Sequence, residues 1–201
     1  MTHGPIIFQG VTKGYGDHRV LAGVGLTLEA DTVTALTGPN GVGKTTLARL
    51  LLGLEKPDSG IVAGVEGLRR AAVFQEDRLC AHLDAVTNVR LVLDREQRDS
   101  AEQELALVGL KSGDLFKPVS ELSGGQRRRV AIARALAVKA ELVVLDEPFT
   151  GLDAGTKPAV MDYVRERLAG CTALVITHDS TEAAFLGARV VTLNHSPGLT
   201  I

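Results

Sequence analysis

One loop decides the fold of this chain, and its sequence is Gly38-Pro39-Asn40-Gly41-Val42-Gly43-Lys44-Thr45. The β-branched run Val33–Thr37 precedes the loop, and apolar residues at helical spacing follow it over Lys44–Leu52. Glycines let the backbone of such a loop wrap closely and point its N–H groups inward, while the helix that starts there contributes its positive dipole end. The stretch therefore predicts a strand, a phosphate-binding loop and a helix. The alternative interpretation is an ordinary glycine-rich turn between a strand and a helix.

The polar side chains of this loop are suited to a nucleotide. The Lys44 ammonium can reach the β- and γ-phosphates, and the Thr45 hydroxyl can ligate Mg²⁺. We assign nucleotide binding to the loop and the first turn of its helix, namely to Gly38, Asn40, Gly41, Gly43, Lys44, Thr45 and Thr46.

Two carboxylates follow the wholly apolar run Leu142–Leu145, which is typical of a buried parallel strand. Ligand sites of parallel sheets lie outside the carboxyl ends of the strands. Asp146 is therefore suited to hold Mg²⁺, directly or through water, and Glu147 is suited to polarise an attacking water molecule. The alternative is a solvated acidic turn, but the phosphate loop upstream favours a catalytic pair.

Two further polar residues end predicted strands. Gln75 follows the run Ala71–Phe74, and His178 follows the run Ala173–Thr177. Each residue taken alone is more often solvated or structural than catalytic. Because the carboxyl ends of parallel strands meet at one edge of a sheet, we expect both side chains to face the same crevice as the phosphate loop and Asp146.

The run Leu122-Ser123-Gly124-Gly125-Gln126 stands at the start of a predicted helix. Ser123 and Gln126 have the spacing of a capping box, which is a complete structural interpretation by itself. The same geometry also makes an anion site, because a serine hydroxyl and free N–H groups meet at a helix N-terminus. We expect Ser123 to lie far from the phosphate loop of its own chain, so a second copy would supply it across an interface.

Composition limits the classes of protein that fit. The chain has 201 residues, 45% hydrophobic residues and a net charge of -2, which fits a single folded domain and argues against a generally basic nucleic-acid binder. A local basic patch at Arg127-Arg128-Arg129 stays open. The chain has only two cysteines, far apart in sequence, which predicts a reduced, cytosolic protein. It shows no secretory leader and no apolar run of about 18 residues, so we expect it to be soluble.

The order of predicted elements indicates an α/β fold. We predict a mainly parallel central sheet, an N-terminal antiparallel β subdomain that includes the runs Ile6–Phe8 and Val20–Leu28, and an α-helical subdomain inserted over residues 76–121. The inserted helices are expected at Val86–Leu93 and Ala101–Val108. We expect residues 1–201 to form one domain.

With these motifs in this order, the sequence resembles the nucleotide-binding domain of ABC transporters, a P-loop NTPase fold. The LSGGQ run at residues 122–126 is the most specific feature, and the resemblance runs from about Ile6 to Leu193. It implies that Tyr15 stacks on adenine, Glu147 is the general base and His178 holds the γ-phosphate. It also implies that Gln75 senses Mg²⁺ and the membrane subunit. The residues that it places at the nucleotide of the partner subunit or at the dimer interface are Ser123, Gly125, Gln126 and Asp153.

The resemblance also implies a mechanism and partners. Two subunits, expected to be two copies of this chain, would sandwich two ATP molecules and hydrolyse them with Mg²⁺. Closing and opening of this dimer would drive a transmembrane permease bound near Gln75, at the cytoplasmic face of the membrane. We expect no nucleic acid partner.

The run Phe74-Gln75-Glu76-Asp77-Arg78-Leu79 resembles importers of the nitrate, sulfonate, taurine and hydroxymethylpyrimidine group. The alternatives are an exporter ATPase, a soluble ABC protein that acts on DNA or ribosomes, and a protein that binds ATP without turnover. The sequence leaves open the transported solute, the membrane partner and whether the dimer contains two identical chains.

Overall fold

A computed structural model describes residues 3–194 and 199–200 of the chain. Within these residues there are nine strands and six α-helices, with short 3₁₀ segments between some of them. The strands are β1 (Ile6–Tyr15), β2 (His18–Leu28), β3 (Val33–Thr37), β4 (Ser59–Ala63), β5 (Arg70–Val73), β6 (Leu142–Asp146), β7 (Thr172–Ile176), β8 (Arg189–Leu193) and β9 (Leu199–Thr200). The helices are α1 (Lys44–Leu51), α2 (Ala85–Arg90), α3 (Ala101–Leu107), α4 (Gly124–Leu136), α5 (Lys157–Leu168) and α6 (Ser180–Phe185). No helix in this part of the chain is both long enough and apolar enough to cross a membrane.

The larger sheet has the strand order β5-β6-β7-β3-β8-β9. Its strands run parallel from β5 to β8, and β9 is antiparallel to β8. Strand β6 is buried throughout, and its side chains alternate between two apolar clusters, with Leu142 and Val144 in one and Val143 and Leu145 in the other. The sheet is therefore covered on both faces, which confirms the predicted α/β fold with a mainly parallel sheet.

A smaller antiparallel sheet has the order β2-β1-β4. Strands β1 and β2 form a hairpin that closes where Tyr15 pairs with His18. Ile6 and Phe8 of β1 are buried in the same apolar cluster as Leu47 and Leu51 of α1. The small sheet thus packs with α1, and the predicted N-terminal antiparallel unit is confirmed.

The segment between β5 and α4 is built from helices and turns. It contains α2, α3 and three 3₁₀ segments, and α2 begins after Asp84, whose carboxylate accepts a hydrogen bond from the Thr87 N–H. The fully buried Asn88 ties this segment together, because its amide donates to the carbonyls of Cys80, Leu83 and Asp84 and accepts from the Cys80 N–H. The limits of a subdomain at residues 76–121 stay a prediction.

A buried polar cluster joins α3 to α5. The Glu104 carboxylate accepts a hydrogen bond of 2.6 Å from the Tyr163 hydroxyl and bonds of 2.6 and 2.7 Å from Arg167. Burial raises the pKa of the Tyr163 phenol, and the hydrogen bond to Glu104 raises it further. The hydroxyl therefore stays protonated. The carboxylate of Glu104, with hydrogen bonds from both Tyr163 and Arg167, thereby holds α3 against α5.

Candidate functional site

A cleft of about 760 Å³ opens at the carboxyl edge of the parallel strands. Strands β3, β5, β6 and β7 all end there, and each end delivers part of the lining. The predicted site residues that line this cleft are Asn40, Gly41, Gly43, Lys44, Thr45, Thr46, Gln75, Asp146, Glu147 and His178. The structure therefore brings together the phosphate loop, the acidic strand end and the two polar strand ends.

The phosphate loop needs glycine where it passes into α1. Gly43 has a left-handed φ of 108°, and a Cβ there would lie 2.6 Å from Leu21 Cδ2 and 2.9 Å from Val20 Cγ1. Only glycine adopts such a conformation without strain and leaves room for both neighbours. Helix α1 therefore begins at Lys44 with its first N–H groups directed to the loop.

Lys44 is only 8% exposed, and its ammonium is held by the loop itself. It donates hydrogen bonds to the carbonyls of Gly38 at 2.7 Å and Pro39 at 2.9 Å. Burial lowers the pKa of Lys44, while the nearby carboxylates of Glu147 and Asp146 act in the opposite direction. A cation in this position is available to an anion that enters the loop.

Thr45 and Asp146 meet although 101 residues separate them, because β6 ends beside the start of α1. The Thr45 hydroxyl donates to the Asp146 carboxylate at 3.0 Å, and Asp146 is 5% exposed. Burial raises the pKa of Asp146, and the hydrogen bond from Thr45 opposes that shift. A hydroxyl and a carboxylate are the hard oxygen donors that Mg²⁺ prefers, so these residues fit a Mg²⁺ site.

Glu147 and His178 form a polar pair at the cleft. The Nε2 atom of His178 lies 3.1 Å from a carboxylate oxygen of Glu147. Glu147 has a left-handed φ of 48°, a conformation that costs a non-glycine residue about 1–3 kcal/mol and is concentrated at functional sites. Its N–H donates to the Ile176 carbonyl at 2.9 Å, which fixes the turn after β6 to the end of β7.

Sequence reasoning missed Arg128. This residue is 4% exposed and donates hydrogen bonds to backbone carbonyls at the ends of both β5 and β6. The available signal was its spacing, because Arg128 lies four residues before the fully buried Ile132 on α4.

The possibility of a basic surface patch at Arg127-Arg128-Arg129 is wrong. Arg128 is buried, Arg129 is 8% exposed and bonds to the Gly109 carbonyl, and Arg127 donates to the Leu122 carbonyl at 2.6 Å. The packed helix buries the guanidinium groups of Arg128 and Arg129, because backbone carbonyls within reach accept their hydrogen bonds. The three arginines therefore do not form an exposed basic patch together.

The hairpin between β1 and β2 contributes residues that sequence reasoning did not assign. His18 and Val20 line the cleft, whereas Tyr15 does not. The Tyr15 ring is 45% exposed, and its hydroxyl donates to the Glu55 carboxylate. Stacking of Tyr15 on adenine stays a prediction. The signal for His18 was its position opposite Tyr15 across the turn.

The run at residues 122–126 forms the predicted capping box. Gln126 N–H donates to the Ser123 hydroxyl at 3.2 Å, and the Gln126 side-chain oxygen accepts from the Ser123 N–H at 2.7 Å. The Gln126 amide also donates to Asp114, so both ends of this side chain have partners within the chain. A Cβ at Gly125 would lie 3.1 Å from the Gly151 carbonyl, which explains a glycine there.

Six predicted site residues do not line the cleft although the structure describes them: Tyr15, Gly38, Ser123, Gly125, Gln126 and Asp153. Ser123 and Asp153 are exposed. The Asp153 carboxylate accepts from the Thr156 hydroxyl and from the N–H groups of Thr156 and Gly155, and these bonds lower the pKa of Asp153. The chain thus presents a second set of polar groups on its surface, apart from the phosphate loop.

Comparison with known proteins identifies relatives over most of the chain. A family model described as "ABC transporter" matches residues 21–150. The Fe(3+) ions import ATP-binding protein FbpC 1 of Rhizobium meliloti (strain 1021) is 38% identical over 94% of this chain and 58% of its own length. The aliphatic sulfonates import ATP-binding protein SsuB 3 of Rhodococcus jostii (strain RHA1) is 42% identical over 94% of this chain and 71% of its own length. The chain thus spans somewhat over half of the first relative.

Solved structures show the same fold. A dimeric ATP-binding cassette in a post-hydrolysis state, bound to ADP and Pi, aligns with a TM-score of 0.85 at 28% identity, over 98% of this chain and 97% of that chain. A bacterial exporter with ATP bound aligns with a TM-score of 0.82 over 38% of its length, at 24% identity, and this likeness concerns the fold alone.

Proposed function

The chain belongs to the ABC transporter family, and from that premise we propose that it is an ATP-binding, ATP-hydrolysing subunit that powers solute import through a separate membrane permease. One observation carries the proposal: a single cleft gathers the phosphate loop, the Thr45–Asp146 pair and the Glu147–His178 pair. Phosphate binding, a cation site and a base are what phosphoryl transfer to water requires.

The residues of the cleft divide the reaction among themselves. Lys44 would exchange its two loop carbonyls for phosphate oxygens of ATP, and the N–H groups at the start of α1 would add to the same anion site. Glu147 would accept the proton of the attacking water. His178, which is within hydrogen-bond distance of Glu147, would hold the γ-phosphate and keep the base in place.

Mg²⁺ is the cofactor that we propose for this site. Thr45, Asp146 and Gln75 would hold it, because their oxygen atoms lie at one cleft and suit a hard cation. When bound, Mg²⁺ neutralises charge that develops on the transferred phosphate. Deprotonation of Asp146 is required for this role, which connects cofactor binding to pH.

A second copy of the chain would complete the site. Ser123 and Asp153 are exposed and do not line the cleft, which supports a role at the surface between two chains. The related cassette solved with ADP and Pi is dimeric, which supports the same arrangement here. In that dimer, Ser123, Gly125 and Gln126 would face the nucleotide of the partner, and Asp153 would lie between the subunits.

Import is what the two named relatives have in common, since one is named for Fe(3+) and the other for aliphatic sulfonates. We propose import without a defined solute, and a cytoplasmic location at the inner face of the membrane through the permease. The helical segment over residues 76–121 would be the subdomain that contacts this permease beside Gln75.

The experiment that tests the proposal uses tagged Glu147→Gln protein, loaded with ATP, to capture partners from solubilised membranes and cytosol together. Purified unsubstituted protein is assayed in parallel for Mg²⁺-dependent release of phosphate from ATP. Capture of a multi-span membrane protein, together with ATP hydrolysis, supports the proposal. Capture of ribosomal or DNA-associated proteins alone would reassign the ATPase to a soluble role, and absence of hydrolysis would refute the enzymatic assignment.

A further inference from the structure

The side chain of Arg128 connects the end of β5 to the end of β6 through hydrogen bonds to backbone carbonyls of both. On the β6 side, its guanidinium donates to the carbonyls of Asp146 at 2.8 Å, Glu147 at 2.7 Å and Pro148 at 2.9 Å. These three bonds hold three consecutive peptide carbonyls where β6 passes into the turn that follows it. They act on the turn in which Glu147 has its left-handed backbone.

On the β5 side, the same guanidinium reaches the loop that carries Gln75. It donates to the Phe74 carbonyl, contacts the Gln75 carbonyl at 3.5 Å and forms an ion pair with Asp77 at 3.3 Å. The Asp77 carbonyl also accepts from Arg134 at 3.2 Å, so α4 holds this loop at two points. Within the same loop, the guanidinium of Arg78 lies 4.0 Å from the centre of the Phe74 ring.

The planar fork of arginine is needed for this arrangement. A guanidinium presents five N–H donors in a fixed plane, whereas a lysine ammonium is a point charge with three donors on a flexible stem. Arg128 donates to carbonyls at two strand ends at once, and these carbonyls together with the Asp77 carboxylate satisfy a charge that is almost fully buried. A lysine at this position would keep the charge but would lose the hydrogen bonds to one of the two strand ends.

On the basis of the proposed function, we propose that Arg128 is a positioning residue for ATP hydrolysis, which sets the backbones of Glu147 and Gln75 together. Through it, a displacement of the Gln75 loop moves the base, and a displacement of the base moves the Gln75 loop. The guanidinium lies on α4, whose first turn contains the capping box of Ser123, so the same helix also connects these loops to the proposed dimer surface.

The test compares Arg128→Lys with Arg129→Lys. Arg129 is the next buried arginine on α4, and it bonds to the carbonyls of Gly109, Val108 and Gly125 and lines no part of the cleft. We expect Arg128→Lys to lower kcat for ATP on the order of 10–100-fold with an unchanged KM, because displacement of a catalytic group by about 1 Å has effects of this size. Arg129→Lys should keep kcat within about threefold at a comparable loss of thermal stability.

Hydrogen–deuterium exchange of the same proteins gives a readout that does not depend on hydrolysis. The backbone amides of residues 74–77 and those of Asp146 and Glu147 should both exchange faster in Arg128→Lys than in Arg129→Lys. Equal kcat losses in the two variants, or exchange that changes at only one strand end, would overturn the proposal. Arg128→Met, which buries no charge, replaces the lysine variant if that one does not fold, with the same expectations. Absence of hydrolysis in the unsubstituted protein would refute the proposed function, and the exchange data would still decide the role of Arg128.

Discussion

Glu147→Gln is expected to stop ATP turnover while leaving the fold and ATP binding intact. A glutamine has the shape of the glutamate, and its side-chain oxygen can still accept a hydrogen bond from His178 Nε2, which lies 3.1 Å from the Glu147 carboxylate. The side chain of Glu147 is 25% exposed, so loss of its charge should change the free energy of unfolding by less than about 1 kcal/mol. The amide cannot accept a proton from water, and removal of a well-placed base costs on the order of 10²–10⁴-fold in rate. This corresponds to about 2.7–5.4 kcal/mol in the activation free energy.

Steady-state phosphate release measures the rate, and size-exclusion chromatography with ATP and Mg²⁺ detects the ATP-bound dimer that should accumulate. Glu96→Gln is the matched control, because Glu96 is exposed in a 3₁₀ segment and does not line the cleft. Hydrolysis by Glu147→Gln at the rate of the unsubstituted protein would show that Glu147 is not the base. A large loss of thermal stability in this variant would show that the pair with His178 is structural.

The structure also gives predictions for Lys44, Asp146 and Tyr163. Lys44→Ala should weaken ATP binding on the order of 10–100-fold, because a charge-assisted hydrogen bond contributes about 1.5–3 kcal/mol. Calorimetry of this variant and of Lys56→Ala, a control at an exposed lysine, measures the affinity. Undiminished affinity would contradict the assignment of phosphate binding to this loop. Burial raises the pKa of Asp146, so Mg²⁺ affinity should fall on acidification while the pH is still above 3.8, which Mg²⁺ titrations at several pH values test. Asp146→Asn should stabilise the ligand-free fold at neutral pH, where the buried carboxylate is charged. Melting curves test this second expectation, and a destabilised Asp146→Asn would contradict the burial argument. Tyr163→Phe should lower the free energy of unfolding by about 1.5–3 kcal/mol, since Glu104 loses a buried donor, and an unchanged urea midpoint would show that the cluster does not hold α3 to α5.

Local features of this protein could be predicted from the sequence because they depend on residues close together in the chain. The phosphate loop is eight consecutive residues, and the capping box joins Ser123 to Gln126 three positions later. Strand β3 has the predicted limits Val33–Thr37, because the polar and glycine residues on either side of this short β-branched run mark where the strand begins and ends. The meeting of four strand ends at one cleft also follows from sequence, because parallel strands share a carboxyl edge.

Features that depend on packing between distant segments could not be predicted. Arg128 and Phe74 are 54 positions apart, and a run of three arginines has the same local pattern whether it is solvated or buried. The cluster of Glu104, Tyr163 and Arg167 depends on how α3 lies across α5. Burial of a charge is stable only where other segments supply its hydrogen-bond partners, so the tertiary structure alone decides which charges are inside.

Most residues that line the cleft could therefore be predicted from the sequence alone, because they stand at fixed spacings within short motifs. The tertiary structure decided how the motifs hold one another: His18 of the β1–β2 hairpin lines the cleft, and Arg128 joins the acidic turn to the Gln75 loop. The physical reason is that backbone N–H groups, glycines and caps act over a few residues, whereas the position of a catalytic turn depends on contacts that form only when the whole sheet is assembled.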